Sequence, residues 1–189
     1  MMKTLTVVST AIALLASASL VSAESTKSGL QKGEMVGAFN VTKIAGAEED
    51  GVDVGKNLCY RCKNGGRPQV MIFTRSADKN VIDLVKQLDA AIPKNEKKQL
   101  RGFVNFLGED KSAAKSGAEK LAKTTKAENV PFVLPNEFEN GPADYGINPD
   151  AEITIIMAKG GEVKANYAAA SAKDLKVDAV IADLKTILE

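Results

Sequence analysis

Gln69-Val70-Met71-Ile72-Phe73-Thr74 is an unbroken, mostly apolar run with turn-forming residues on both sides. A strand with one wet face alternates apolar and polar residues, so a run of this kind reads as a strand buried on both faces. Directly after it, Val81, Leu84, Val85, Leu88 and Ile92 fall at helical spacing, with Lys79, Asp83, Lys86 and Asp89 off that stripe. Asp78 is placed to cap this helix, and Pro93 marks its end. A doubly buried strand feeding an amphipathic helix commits the chain to an α/β architecture.

The rest of the chain keeps the pattern. Phe103 to Leu107 is a second short apolar strand, and Ser112 to Lys126 is a helix with a small face of Ala114, Ala118, Leu121 and Ala122. Val130 to Leu134 is a third strand. Glu137 to Gly146 is irregular. Glu152 to Met157 is a fourth strand, and Lys159-Gly160-Gly161-Glu162 turns it into Val163 to Tyr167. Val177, Val180, Ile181, Leu184 and Leu188 give a closing amphipathic helix. Upstream, Val36 to Thr42 partly alternates and reads as a strand or a hairpin arm, and Gly46 to Gly55 reads as an acidic, glycine-rich loop. Strands separated by helices favour parallel pairing, and the final hairpin adds an antiparallel part.

Met1-Met2-Lys3 followed by the apolar run Leu5 to Val21 has the form of an export signal, and Val21-Ser22-Ala23 fits a cleavage site. The expectation is residues 1–23 as signal peptide, 24–34 as a flexible leader and 35–189 as one domain. The protein would be periplasmic or secreted, or membrane-anchored if the signal stays uncut. The remainder is long enough for one domain with its own core. Net charge is +1 and tryptophan is absent, so neither a basic field nor a stacking platform points to nucleic acid. After signal cleavage nothing points to a membrane, and no residue pattern calls for a cofactor.

The chain has two cysteines and no histidine. The missing histidine excludes a Ser-His-Asp triad, a Cys-His pair and a His-ligated metal. The cysteines form Cys59-Tyr60-Arg61-Cys62. Two thiols at this spacing can close a small disulfide ring and reopen it. An exported protein meets an oxidising compartment, so a Cys59–Cys62 disulfide is expected at rest. From Lys56 to Arg75 the chain carries Lys56, Arg61, Lys63, Arg67 and Arg75 and no acidic residue. Cations beside a thiol favour its thiolate, and Arg61, between the cysteines, is the candidate thiolate-stabilising residue.

The element order, with Val70 to Phe73 as the first core strand and Ile153 to Tyr167 as the last hairpin, resembles the thioredoxin-like superfamily. The nearest flavour is the branch of peroxiredoxins and exported thiol–disulfide oxidoreductases. Tyr145-Gly146-Ile147, a strand, and then Gly160-Gly161-Glu162-Val163 is similar to the second half of those proteins. The resemblance implies a three-layer α/β fold with a central mixed sheet flanked by helices. In that family the cysteine motif follows the first core strand and opens the next helix. Here that turn is Thr74-Arg75-Ser76-Ala77-Asp78. Thr74 matches the threonine that peroxiredoxins place three residues before their reactive cysteine, but the cysteine position holds Ala77. The family's cis-proline position corresponds to Ile153. The resemblance therefore implies the fold without implying a peroxidase.

Two readings of Cys59 and Cys62 stand side by side. In the first they are catalytic, exchanging disulfides with a protein thiol partner, with Cys59 attacking and Cys62 resolving as in the family pattern. In the second the bond is a structural clip in a non-catalytic binding module; a loop this short contributes only about 2 kcal/mol. A zinc site would be half built with these two ligands. Asp144, Asp150 and Glu152 read as a solvated loop, and Ser76 lacks a histidine base.

Overall fold

The computed structural model describes residues 26–189. The expected signal segment lies outside the described residues. The strands are β1 (Val41–Ala45), β2 (Asn57–Leu58), β3 (Gln69–Thr74), β4 (Arg101–Phe106), β5 (Phe132–Pro135), β6 (Ile153–Lys159) and β7 (Glu162–Ala169). The helices are α1 (Tyr60–Asn64), α2 (Lys79–Lys94), α3 (Lys111–Thr125), α4 (Val177–Ala182) and α5 (Lys185–Leu188). They form one seven-stranded mixed sheet of order β2-β1-β5-β4-β3-β6-β7.

β3 sits where its composition demands. It runs parallel to β4 and antiparallel to β6, and all six of its residues are buried. Its side chains alternate between two cores. Val70 and Ile72 meet Val81, Leu84, Val85 and Leu88 of α2 and the apolar faces of α3, α4 and α5. Met71 and Phe73 face the opposite layer, built from Tyr60 of α1, Phe39, Phe103, Tyr145 and Ile147. The mixed sheet is thus flanked by helices, as the resemblance implied, although irregular segments supply much of the second layer.

Four local expectations change. The first strand is displaced to Val41–Ala45 rather than Val36–Thr42, because Val36 and Phe39 bury themselves as loop side chains against the sheet. The cysteine loop contains a helix, α1. The closing helix is split into α4 and α5 at Asp183-Leu184. Finally, the described part of the leader is tied down. The Ser28 hydroxyl is buried at 2.6 Å from Thr154 Oγ1, and Asn166 Nδ2 donates to the carbonyls of Ser28 and Leu30. Gly33 N–H donates to Val163 O, and Val163 N–H to Glu34 O. The polar composition that reads as a solvated tail instead satisfies polar groups on β6 and β7.

Leu88 is 1% exposed and its Cδ2 lies only 2.8 Å from where a Cβ on Gly102 would stand. Leu88→Ala should therefore cost about 2–5 kcal/mol, read from the midpoint of denaturant unfolding. A near-neutral change would show that α2 is not packed as described.

Candidate functional site

Cys59 and Cys62 are joined by a disulfide at the start of α1. Cys59 is the residue before the helix, in extended conformation, and the Cys62 N–H points back at Cys59 Sγ, 3.0 Å away. The motif thus supplies its own cap: the sulfur accepts one of the N–H groups that a first helical turn leaves unpaired. Gly65 closes the helix at φ 61°, where its N–H reaches the carbonyls of Arg61 and Cys62. A side chain there would be strained.

Tyr60 determines which way this helix faces. It is 3% exposed, and its ring stacks on Phe103 with centroids 5.7 Å apart. Its hydroxyl donates to Asp50 Oδ2 at 2.5 Å. Asp50 Oδ1 in turn accepts from Lys43 Nζ at 2.9 Å and from Val52 N–H at 2.8 Å. The ammonium of Lys43, whose side chain is 1% exposed, also donates to the carbonyls of Ala47 and Val52 at 2.8 and 2.7 Å. The acidic loop after β1 is therefore wrapped around a buried charge, and α1 hangs on it through one phenol. With Tyr60 and Asn64 turned inward, Cys62 is exposed and Cys59 half-buried. This order of exposure runs opposite to the expected roles, in which Cys59 meets the partner first.

Arg61 turns toward the β6–β7 turn. One of its guanidinium nitrogens would stand 3.2 Å from a Cβ at Gly161, beside the Met35 methyl at 3.3 Å from the same point. Gly161 suits this turn by its φ of 84°, where a side chain would be strained. Arg61 Nε is buried with no hydrogen-bond partner. Arg61 also lies close enough to Tyr145 to counter part of the rise that burial imposes on that phenol. Tyr60 is raised likewise, by burial first and then by Asp50.

The turn between β3 and α2 lies at the other end of β3, roughly 17 Å away at about 3.3 Å per residue. Thr74 Oγ1 donates to Ser76 O and accepts from Ser76 N–H. Arg75 donates to Glu139 O and Asn140 Oδ1, and burial lowers its pKa. Asp78 caps α2 by accepting from Asn80 N–H at 3.0 Å. Ile153 begins β6 opposite Thr74. Among the described residues no group of three metal-ligating side chains comes together, and Glu152 is engaged by Ala172 N–H at 2.7 Å. The residues that sequence reading missed are Lys43 and Asp50. The available signal was parity, since Lys43 is two residues from the inward-facing Val41.

All three tyrosines are raised above the ordinary phenol range. Burial is the main cause in each, and Tyr167, assisted by Asp183, is pushed up to about 12. In the unfolded chain they titrate near 10. Above that pH unfolding releases protons, so this contribution to stability is complete below pH ~10 and is lost as pH rises toward the folded values. Tyrosinate absorbance should be absent near pH ~10 in the folded protein and appear together with loss of fold. A phenol titrating normally in the folded state would contradict this packing.

No protein-family model matches the chain, and no curated protein does. Solved structures do. Mycobacterium tuberculosis AhpC superposes with a TM-score of 0.60 at 14% identity, covering 85% of this chain and 99% of that one. A Chlorobium tepidum protein described as a thiol:disulfide interchange protein, DsbE, gives 0.59 at 16% identity, covering 85% and 99%. A Bacteroides thetaiotaomicron protein described as a disulfide isomerase gives 0.56 at 15%, covering 85% and 92%. At this level of identity the likeness is one of architecture. The chain has the thioredoxin-like fold.

Proposed function

We propose that this is an exported thiol–disulfide exchange protein whose reacting pair is Cys59 and Cys62. The observation that carries the reading is the placement of the bond: Cys62 is exposed, and the sulfur it would release, Cys59 Sγ, already holds an N–H. Starting from the disulfide, a partner thiolate attacks Cys62 Sγ. The Cys59–Cys62 bond breaks, a partner–Cys62 bond forms, and Cys59 leaves as a thiolate stabilised by the Cys62 N–H. A second partner thiolate then attacks the partner sulfur, so the partner gains a disulfide and Cys62 leaves as thiolate. Two electrons pass to this chain, and the reverse reaction uses the same steps. The neighbours described as an interchange protein and an isomerase support this chemistry on the fold. Nothing routes it through the β3–α2 turn, which holds no cysteine.

Single-cysteine variants test the pair. With an activated disulfide as probe, Cys59→Ser should accumulate a mixed disulfide through Cys62, and Cys62→Ser should accumulate little. The converse result restores Cys59 as the sulfur that meets the partner. If neither variant traps a partner and the reduction potential of the native pair falls below about −300 mV, the bond is a clip and the protein a non-catalytic module.

Export rests on the pattern of residues 1–23. Among the described residues no helix is long and apolar enough to cross a membrane. Intact-mass analysis of protein from its native host should give a chain starting at Glu24. Retention of residues 1–23 in a membrane fraction would contradict a cleaved signal.

A further inference from the structure

The segment that carries the disulfide also carries four cations without an ion-pair partner among the described residues. Lys56, Lys63 and Arg67 are exposed, and Arg61 lies half-buried between them. None of the four takes part in an ion pair among the described residues. The Arg67 side chain is held only by neutral acceptors, Gln99 Oε1 at 3.1 Å and Lys63 O at 3.5 Å. Asp50, the carboxylate bonded to Tyr60 of α1, is already shared with Lys43. Glu49, Glu96 and Glu128 share a cleft of ≈ 640 Å³ with Lys63 and Arg67, but neither cysteine lines that cleft. Asp53 sits in the turn before Lys56. The chain as a whole carries a net charge of only +1, and the segment from Lys56 to Arg75 holds five basic residues and no acidic one. Beside it stands Met35, 65% exposed and touching the same point on the β6–β7 turn as Arg61.

We infer that the partner presents its cysteine within an acidic polypeptide segment, which docks on Lys56, Arg61, Lys63 and Arg67 so that its sulfur meets the exposed Cys62. This rests on the exchange reading above. Charge complementarity identifies the occupant, and the exposed sulfur narrows it, because an anionic nucleic acid or lipid surface offers no thiol to exchange. The arrangement also has a chemical consequence. Carboxylates flanking a cysteine raise its thiol pKa and suppress its thiolate in free solution. Opposing cations reverse that shift on docking, so the partner becomes a competent nucleophile only where its target sulfur lies. Met35 adds an apolar contact at the edge of the same surface.

The test uses the oxidised native chain and three reductants: a peptide with one cysteine among Asp and Glu, a peptide with one cysteine among Lys, and dithiothreitol. Opening of the Cys59–Cys62 bond is followed by quenched alkylation, with rates expressed per thiolate. The acidic peptide should react about tenfold or more faster than the basic one at low salt, with the difference shrinking as salt is added. Lys63→Glu combined with Arg67→Glu should invert the preference. If dithiothreitol opens the bond but the acidic peptide has no advantage, or its advantage ignores salt, the acidic-partner inference is overturned and the exchange reading survives. If none of the three opens the bond, both fall.

Discussion

A lysine ammonium buried beneath β1 organises the end of the molecule that carries the cysteines. An ammonium in such a place is costly unless it is paired and fully hydrogen-bonded. Lys43 meets that requirement with two carbonyls and one carboxylate, all drawn from the loop that follows β1. The loop is thereby folded back over the strand. Asp50 then has one oxygen left, and Tyr60 takes it. Removing either charge would leave the other without its partner in a dry setting, and α1 would lose the acceptor that fixes its rotation. The orientation of the disulfide therefore depends on an interaction ten and more residues upstream.

The same logic explains why a tyrosine stands between the cysteines. A five-residue helix cannot hold itself in water. α1 persists because Tyr60 buries a large ring against Phe103 while its hydroxyl finds a partner, and because the disulfide fixes the first turn. Turning Tyr60 inward necessarily turns Cys62, two positions on, outward. The exposure of one sulfur and the partial shelter of the other thus follow from a packing decision, without any special feature of the sulfurs themselves.

This division marks what the sequence could and could not reveal. The central strand, α2 and the last hairpin were legible because their burial patterns are local: an unbroken apolar run, a helical stripe, a Gly-Gly turn. The resemblance to thioredoxin-like proteins followed from that order. The site was only half legible. Cys59 and Cys62 announce themselves by type, but Lys43 lies outside the strand that alternation suggests, Val36 to Thr42, and inside the one that forms, Val41–Ala45. Ser28 reads as part of a tail until Thr154 and Asn166 provide partners across more than a hundred residues. Arg61 sits between the cysteines in sequence, yet its guanidinium reaches the β6–β7 turn. Ser28 is decided by partners far along the chain, Lys43 by the loop that folds back over it and Arg61 by a distant turn, and periodicity carries no information about any of them.

The separation of the two ends of β3 has a physical cost for any redox role. A thiolate is commonly favoured by the N-terminus of a long helix. In this chain the sixteen-residue α2 has its own carboxylate, Asp78, at that position, accepting from the Asn80 N–H. The cysteines stand instead before a five-residue helix, whose summed dipole is small. What remains is one N–H on Cys59 Sγ and the field of the cations in the same segment, Lys56, Arg61, Lys63 and Arg67. A single N–H is fixed by the backbone, whereas the field of exposed cations weakens with salt and with any carboxylate brought against it. In the exchange proposed for this pair, the acid strength of the thiols would then be set partly by the partner itself. An acidic segment would spend part of that field on its own cysteine and return it when it leaves.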